Sequence, residues 1–413
     1  MRFAEQAMNS EHPQWDQAVA RPRILYERPE DMRSPFERDY TRLLHSTAYR
    51  RLKHKTQVFF ASANDHVCTR MEHVQLVASV SHSLCKQMGL NTELARAIAL
   101  GHDLGHAPFG HHGERVLADV ARESLDRPFW HEQNSLRFVD ALETLPDPDG
   151  RERNLDLTYA VRDGIITHCG EVTHKRLYPR SEAVDLDQLS KAGEIAPFTW
   201  EGCIVRVADT ISYLGRDIED AYRLGLIGRS QLRWLIALVR ESGHGSQRLN
   251  NGLFMHQLML DLVKCSCPSE GIRISSKYYG LVVALKEFSR VHIYDHYRLR
   301  AYQEYATLVI RTIYTHLAGE YVSVNIIGRL RERLRPYPLL TRHFTKWLLT
   351  YSSERPNWGR FKRFDNRMVY DLKRTEDYKQ AIIDFISGMT DQFAIRVFTE
   401  LTSLQMEASP LTP

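Results

Sequence analysis

Apolar residues recur every three to four positions along most of the chain from Phe36 onward, and this spacing predicts amphipathic helices. The clearest case covers residues 70–88, where Gly89 follows directly, as expected at a helix end. The same period predicts further helices at 92–104, 201–224, 231–241, 253–264, 277–289, 296–318 and 378–404. We therefore predict a mainly α-helical fold.

Segments without this period divide the chain. Residues 1–35 are polar and contain several prolines, which predicts an irregular N-terminal arm. We place an approximate boundary near residue 225, between a helical core at 36–225 and a helical C-terminal extension at 226–413. The alternative is that both parts form a single domain. Strand signals are few: 321–327 is a strand or a helix start, 147–150 a turn and 177–197 a surface loop.

Composition limits the class of protein. Hydrophobic residues make up 43% of the 413 residues, enough to bury a core, which excludes a disordered chain. The net charge of +4 comes from interspersed basic and acidic residues, unlike the surface of a dedicated DNA-coating protein. No apolar run is long enough to span a membrane, and the N-terminus lacks a secretory signal. We expect a soluble, cytoplasmic protein with no membrane partner.

Histidine is distributed unevenly. Nine of the 19 histidines fall between residues 54 and 131. Neutral imidazole is the commonest metal ligand in proteins, but histidines also cluster on protein surfaces. The spacing of the histidines along the chain is therefore needed to distinguish a metal site from a surface cluster. The six cysteines form no CxxC pair, which indicates neither a zinc ribbon nor a disulfide framework.

Three predicted helices carry residues that suit a metal ion. His102 and Asp103 lie at the end of the second, whereas His73 and Asp209 lie within the first and third. Two imidazoles and two carboxylates suit Mn²⁺, Fe²⁺ or Mg²⁺, and also Zn²⁺, while the lack of thiolates argues against a closed structural zinc site. A His-Asp pair alone is a weak signal, and a lone histidine such as His73 is more often structural.

The segments beside these residues offer further chemistry. Asp209, Tyr213 and Asp217 are spaced i, i+4, i+8 and therefore share one helix face, either a site wall or a solvated face. Arg70 lies one turn before His73 and would face a phosphate from the same side. The glycine-rich loop at 102–114 is either a surface loop or a source of acid–base groups, namely His106, His111 and Glu114. The last two are three residues apart, a spacing at which the carboxylate could orient the imidazole.

Five segments in order resemble the motifs of the HD-domain deoxynucleoside triphosphate triphosphohydrolases. They cover residues 38–59, 70–73, 102–114, 129–135 and 208–217. The resemblance spans about residues 36–225 and implies an HD-domain helical core with a helical C-terminal extension. Two positions depart from the commoner pattern, namely Arg216 in place of a histidine and Asn134 in place of a glutamine.

The resemblance also implies roles for single residues. One divalent ion would be held by His73, His102, Asp103 and Asp209. His111 and Glu114 would be catalytic and His131 would lie near the phosphates. The deoxyribose would be contacted by Gln57, Tyr213 and Asp217.

The implied reaction converts a dNTP and water to a deoxynucleoside and inorganic triphosphate. Members of the family are often homo-oligomers regulated by nucleotides, so an oligomer and a nucleotide activator are expected. One alternative is an HD phosphohydrolase that acts on another nucleotide, as a nucleotidase or a phosphodiesterase. The other is a nucleotide-sensing or single-strand nucleic-acid-binding protein with a vestigial site, which the dispersed charge and the complete ligand set do not favour.

Overall fold

The computed structural model describes residues 3–26, 30–59, 66–169, 176–241 and 251–403. These residues form seventeen α-helices and two short strands, which confirms the mainly α-helical fold. The helices are α1 Trp15–Val19, α2 Pro35–His45, α3 Thr47–Arg51, α4 Arg70–Met88, α5 Thr92–Gly101, α6 Gly110–Leu125, α7 His131–Arg137, α8 Tyr159–Thr167, α9 Trp200–Arg223, α10 Arg229–Glu241, α11 Asn251–Cys265, α12 Ser276–Ser289, α13 Tyr297–Ala318, α14 Ile326–Arg333, α15 Pro338–Tyr351, α16 Thr375–Ser387 and α17 Asp391–Thr402.

The bounds of α4 match the prediction at both ends. Thr69 accepts a hydrogen bond from the Glu72 N–H, and the Glu72 side chain accepts from Thr69 in return, so a capping box begins the helix. Gly89 ends it in the left-handed region at φ 89°. The next helix, α5, ends at Gly101 rather than at residue 104. The chain then turns sharply, which places the His-Asp pair after the helix rather than within it.

Two non-helical predictions have different outcomes. Residues 147–150 turn as predicted, and they connect a two-stranded antiparallel hairpin, β1 Thr144–Pro146 and β2 Glu152–Asn154. The strand alternative for residues 321–327 is wrong, because α14 begins at Ile326 and no strand precedes it in that segment. A strand there would need a pairing partner, and none of the β bridges among the described residues involves residues 321–327.

The N-terminal arm contributes to the core. It contains the 3₁₀ turn Ala4–Gln6 and the short helix α1 and is otherwise irregular over its described residues. Phe3, Met8 and Ala18 are buried, and the ring of Phe3 lies 5.0 Å from that of Trp200. The arm therefore stabilises the base of α9 through apolar contact.

Helices from the C-terminal extension pack directly on the core. Helices α13 and α16 contact α6, and one hydrophobic cluster includes residues from both sides of position 225. Arg137 forms an ion pair of 2.7 Å with Asp384, and the ammonium of Lys55 donates to the carbonyls of His106 and Ser387. The division near residue 225 stays a prediction, since a single folding unit fits these contacts as well.

Asp391, at the start of α17, connects two segments of the core. Its Oδ1 accepts a hydrogen bond from the Phe109 N–H at 2.9 Å. Its Oδ2 accepts from the Thr56 N–H at 3.1 Å and from the Thr56 hydroxyl at 2.8 Å. We call this set of bonds the Asp391 clamp. It fixes the loop at 102–114 relative to the segment that carries Gln57.

The same loop is fixed from its other side by close backbone packing. A Cβ at Gly105 would lie 2.1 Å from the Ser135 backbone nitrogen on α7. Gly105→Ala should therefore lower the free energy of unfolding by about 1–3 kcal/mol, the usual effect of overpacking, measured by denaturant titration. The control Gly280→Ala, in α12 with no atom within 4 Å of its Cβ position, should raise it by about 0.5–1 kcal/mol. Unchanged stability in Gly105→Ala would contradict this packing.

Candidate metal centre and active site

Three packed helices deliver the four predicted metal ligands to one point. Helix α4 carries His73 and contacts both α5 and α9; α9 carries Asp209, and the turn directly after α5 carries His102 and Asp103. The Nε2 of His73 lies 3.0 Å from Asp209 Oδ1, and the Nε2 of His102 lies 3.9 Å from the same oxygen. Asp103 Oδ1 lies 3.5 Å from His102 Nε2. The structure thus brings the four side chains together, and their role as ligands stays a prediction.

The hydrogen bonding of His102 shows that these residues suit a cation. Its Nδ1 lies 2.7 Å from the carbonyl of Ala99, so Nδ1 carries the proton and Nε2 presents a lone pair. That buried lone pair faces the carboxylates of Asp103 and Asp209 and has no hydrogen-bond partner among the described residues. Arg70 and His73 pair with these two carboxylates, and a cation beside the His102 nitrogen would add a further favourable contact. The set of donors suits Mn²⁺, Fe²⁺, Mg²⁺ or Zn²⁺.

Arg70 is buried beside the same group of residues. Its Nη1 lies 2.7 Å from Asp103 Oδ2, while its Nε and Nη2 find no hydrogen-bond partner among the described residues. Burial opposes ionisation of Asp103, but the neighbouring histidines and Arg70 hold the pKa of this carboxyl well below its usual range. Arg70 therefore lies on the face of α4 predicted for it, with two donor nitrogens left to bind an anion.

In the loop at 102–114, Glu114 has a closer imidazole partner than the sequence predicts. Its Oε1 accepts hydrogen bonds from the backbone N–H of His131 at 2.8 Å and from His131 Nδ1 at 3.0 Å. The predicted partner, His111, lies 3.8 Å from Oε2, and its side chain is 61% exposed. Glu114 faces the first turn of α7, a tertiary contact that sequence spacing cannot show. His106 stacks on His131 with ring centroids 3.8 Å apart, and burial keeps the pKa of His106 well below its usual value.

His168 and Cys169, which the sequence analysis missed, extend this row of imidazoles. The Nδ1 of His168 lies 2.6 Å from the Ile165 carbonyl, and its Nε2 lies 3.4 Å from the Nε2 of His131. Burial lowers the pKa of His168 to about 4, so it is neutral and accepts at Nε2. Burial works against protonation of His131 too, but the carboxylates of Glu114 and Glu132 raise its pKa well above the usual value. His131 is therefore the cation, with a proton on each nitrogen.

A cavity of about 410 Å³ opens onto these groups. Most of the predicted site residues line it, namely Gln57, Arg70, His73, Asp103, His106, His111, His131, Asp209, Tyr213 and Asp217. His102 and Glu114 lie behind its wall, in contact with residues that line it. The cavity also contains residues that were not predicted, namely His168, Cys169, Arg206, Thr210, Lys286, Ser289, Arg290 and Tyr294. Arg216 and Asn134, the two departures from the family pattern, do not line it.

Asp209, Tyr213 and Asp217 on α9 form one wall of the cavity. Of the two alternatives predicted for this helix face, a site wall or a solvated face, the structure has the site wall. At its far end the hydroxyl of Tyr294 donates to Asp217 Oδ2 at 2.6 Å. Tyr294 belongs to the π turn Arg290–Tyr294 after α12, so only the tertiary fold brings it here. Burial raises the pKa of Asp217 to about 6, against the hydrogen bond from Tyr294, which favours the charged form.

Comparison with protein families defines the class of this protein. The HD domain family matches residues 70–214, the segment that holds all four predicted ligands. The Phosphohydrolase-associated domain matches residues 348–400, which include the Asp391 clamp. The protein is therefore an HD-domain phosphohydrolase, a hydrolase whose domain type binds divalent metal ions. Among the described residues, no helix combines the length and apolar character needed to cross a membrane.

Similar proteins give a narrower family. The deoxyguanosinetriphosphate triphosphohydrolase-like protein of Bordetella pertussis is 32% identical over 92% of this chain and 93% of its own. The protein of the same name from Caldanaerobacter subterraneus is 30% identical over 92% of this chain and 89% of its own. That of Desulfatibacillum aliphaticivorans is 37% identical over 67% of this chain and 71% of its own. This chain belongs to the family of deoxyguanosinetriphosphate triphosphohydrolase-like proteins, which confirms the resemblance seen in the motifs.

The bond between Tyr294 and Asp217 can be tested by titration. Tyr294→Phe removes a hydrogen bond to the charged form of Asp217, so the carboxyl pKa should rise above its starting value of about 6. The ¹³C NMR shift of the Asp217 carboxyl, followed against pH, measures the change. Tyr297→Phe, at an exposed tyrosine three residues further on, should leave the titration where it is. A fall in the Asp217 pKa in Tyr294→Phe would contradict the assigned bond.

Proposed function

We propose that this protein is a metal-dependent deoxynucleoside triphosphate triphosphohydrolase. It would convert a dNTP and water to a deoxynucleoside and inorganic triphosphate. The observation that carries this proposal is the composition of the cavity, which joins a metal-type ligand set to several cations and to the polar row Asp209, Tyr213 and Asp217. The names of the similar proteins support the same reaction class.

One divalent metal ion would be held by His73, His102, Asp103 and Asp209. We propose Mn²⁺, Fe²⁺ or Mg²⁺ as the ion, with Zn²⁺ also compatible with these donors. When bound, it would polarise a phosphoryl oxygen and lower the pKa of water beside the α-phosphate. Arg70, which stays paired with Asp103, would orient this carboxylate and direct its two remaining donor nitrogens at the phosphate chain.

Further cations in the cavity suit a triphosphate. Arg206 is buried and has no carboxylate within ion-pair distance among the described residues; its one hydrogen bond is a long one of 3.5 Å to the carbonyl of Ile195. His131 adds a positive charge that the Glu114 hydrogen bond holds in place. Preorganised positive groups in a partly buried site stabilise developing negative charge more strongly than they would in water.

His111 would protonate the departing 5′-oxygen. Its ring is exposed to the cavity and 3.8 Å from Glu114, whose carboxylate would orient it once the substrate closes the gap. His106 lies between Asp103 and His131 and would donate its ring N–H to a phosphate oxygen. Proton transfer by a positioned side chain contributes about 10²–10⁴-fold to rate.

The sugar would lie along α9. Gln57, Tyr213 and Asp217 all line the cavity, and Gln57 Oε1 has no hydrogen-bond partner among the described residues. A ribose 2′-hydroxyl would have to enter a wall already closed by the bond between Tyr294 and Asp217, so deoxyribose is favoured. The homo-oligomer and the nucleotide activator implied by the resemblance stay predictions.

Mutations of the predicted metal ligands and of the predicted general acid should differ in their effect on metal binding. His102→Ala and Asp103→Ala should lose both the bound metal and turnover, because each removes a ligand. His111→Ala should retain the metal and lose about 10²–10⁴-fold in kcat, as expected for a general acid. Metal analysis and steady-state kinetics measure the two effects. His112→Ala, one residue on and bonded to Thr307 outside the cavity, serves as control, and full activity in His111→Ala would refute its role.

The products identify the reaction. Incubation of the protein with Mn²⁺ and each dNTP and NTP in H₂¹⁸O should give a deoxynucleoside and triphosphate, with the label in the triphosphate. Chromatography with mass spectrometry reads both products. NTPs should be poorer substrates, since the 2′-hydroxyl lacks room. Release of orthophosphate or pyrophosphate would point to the alternative phosphohydrolase and contradict the proposal.

A further inference from the structure

A second group of metal-type side chains lies beside the four predicted ligands and shares no residue with them. It consists of His131 and Glu132, which begin α7, and of His168 and Cys169, which follow α8. Each residue offers one donor atom, and these four atoms lie within 4.8 Å of one another. Cys169 is partly exposed, whereas the other three residues are buried. We call these four residues the thiol cluster.

The spacing of the donor atoms fits a tetrahedral ion better than a set of hydrogen bonds. The Nε2 of His131 lies 3.4 Å from the Nε2 of His168 and 3.9 Å from the Sγ of Cys169. Hydrogen bonds donated by N–H are ordinarily about 2.7–3.2 Å long, so the contact between the two imidazoles is a long one. Zn–N and Zn–S bonds of about 2.1 and 2.3 Å in tetrahedral geometry place two nitrogens about 3.4 Å apart, and a nitrogen and a sulfur about 3.6 Å apart.

The remaining ring nitrogens hold both imidazoles in the orientation that a metal ligand needs. The Nδ1 of His168 lies 2.6 Å from the carbonyl of Ile165, so its Nε2 presents a lone pair to the cluster. The Nδ1 of His131 lies 3.0 Å from Glu114 Oε1. Histidines that bind metal ions almost always donate their other N–H to a carbonyl or a carboxylate in this way, which fixes the ring and makes the free nitrogen a stronger ligand.

Glu132 adds a buried carboxylate with an oxygen that the described residues leave without a partner. The residue is 1% exposed, and its Oε1 accepts no hydrogen bond among them. Its Oε2 lies 3.3 Å from the Nδ1 of His131. One oxygen of this carboxylate is among the four donor atoms, so a cation in the cluster would give the group a compensating contact.

A divalent ion could enter this cluster without adding net charge. Burial raises the pKa of Cys169 to about 12, so its thiol is protonated in the absence of a metal ion. The ion would replace two protons, that of this thiol and that of His131 Nε2, and its two charges would equal theirs. The thiolate decides which ion is preferred, because thiolates select Zn²⁺, whereas Mn²⁺ and Mg²⁺ prefer oxygen ligands.

We propose that the thiol cluster is a second metal site, selective for a thiophilic divalent ion, Zn²⁺, and distinct from the site of the four predicted ligands. An ion bound there would coordinate His131 Nε2 and remove its N–H from the phosphate chain, so it would inhibit hydrolysis. The inhibition rests on the function proposed above. The binding of the ion does not.

Co²⁺ reports a thiolate ligand directly, because the bond between them gives a strong charge-transfer absorption in the near ultraviolet. Co²⁺ titrated into the full-length protein in the presence of excess Mn²⁺ should produce this band in a saturable manner. Cys169→Ser should remove the band, and Glu132→Gln should raise the apparent Kd at least tenfold while the band remains. Cys267→Ser, at a thiol that does not line the cavity, is the matched control and should retain the band unchanged.

A measurement on the unmodified protein does not depend on the folding of any variant. X-ray absorption at the zinc edge, with one equivalent of Zn²⁺ added to the Mn²⁺-saturated protein, should show a sulfur neighbour at about 2.3 Å. Zn²⁺ with only nitrogen and oxygen neighbours would overturn the proposal. A charge-transfer band that persists in Cys169→Ser, or one that disappears in Cys267→Ser, would overturn it as well.

Inhibition separates this proposal from the proposed function. Zn²⁺ should inhibit the Mn²⁺-dependent hydrolysis of a dNTP, and Cys169→Ser should raise the Zn²⁺ concentration for half-inhibition at least tenfold. Replacement of Mn²⁺ at the four predicted ligands would affect both proteins equally, so equal inhibition would overturn the inhibitory role. A protein that gives the thiolate band but hydrolyses no dNTP would contradict the proposed function and leave the second metal site supported.

Discussion

The charge buried where α4, α5 and α9 meet is the constraint on which the rest of this structure depends. Asp103 and Asp209 both lie within 4 Å of the His102 Nε2, Asp103 buried and Asp209 partly so, an arrangement that costs free energy unless positive charge compensates it. Arg70 compensates part of it from α4. His73, 3.0 Å from Asp209, compensates a further part. The Nε2 of His102 has no hydrogen-bond partner among the described residues, and we propose that a divalent cation completes the balance there.

Because such a site tolerates little movement, the loop that follows it is fixed from several directions. The Asp391 clamp bonds the loop to the segment of Gln57, and Lys55 donates to the carbonyls of His106 and Ser387. Gly105 lets the loop approach the backbone of α7. Residues 348–400, which match a phosphohydrolase-associated domain, thus help to fix the loop that lines the candidate active-site cavity.

The helices around the candidate metal site could be predicted from the sequence, because their signals are local. Helix α4 has a regular apolar period, a capping box and a terminal glycine, so both of its ends follow from neighbouring residues. The face shared by Asp209, Tyr213 and Asp217 follows from helical geometry in the same way. Contacts between residues far apart in the sequence could not be predicted. Glu114 bonds to His131 on another helix, and Tyr294 bonds to Asp217 from a π turn that has no periodic sequence pattern. His168 was missed because its helix is short.

The central claim is that one divalent ion binds where His73, His102, Asp103 and Asp209 converge. Anomalous X-ray diffraction from crystals of the protein grown with Mn²⁺ tests this most directly, since it locates the ion without reference to activity. The account predicts one strong anomalous peak per chain within about 2.0–2.4 Å of ligand atoms from all four side chains. A peak elsewhere, for example at His131 and Cys169, or four side chains that share no ion, would contradict it.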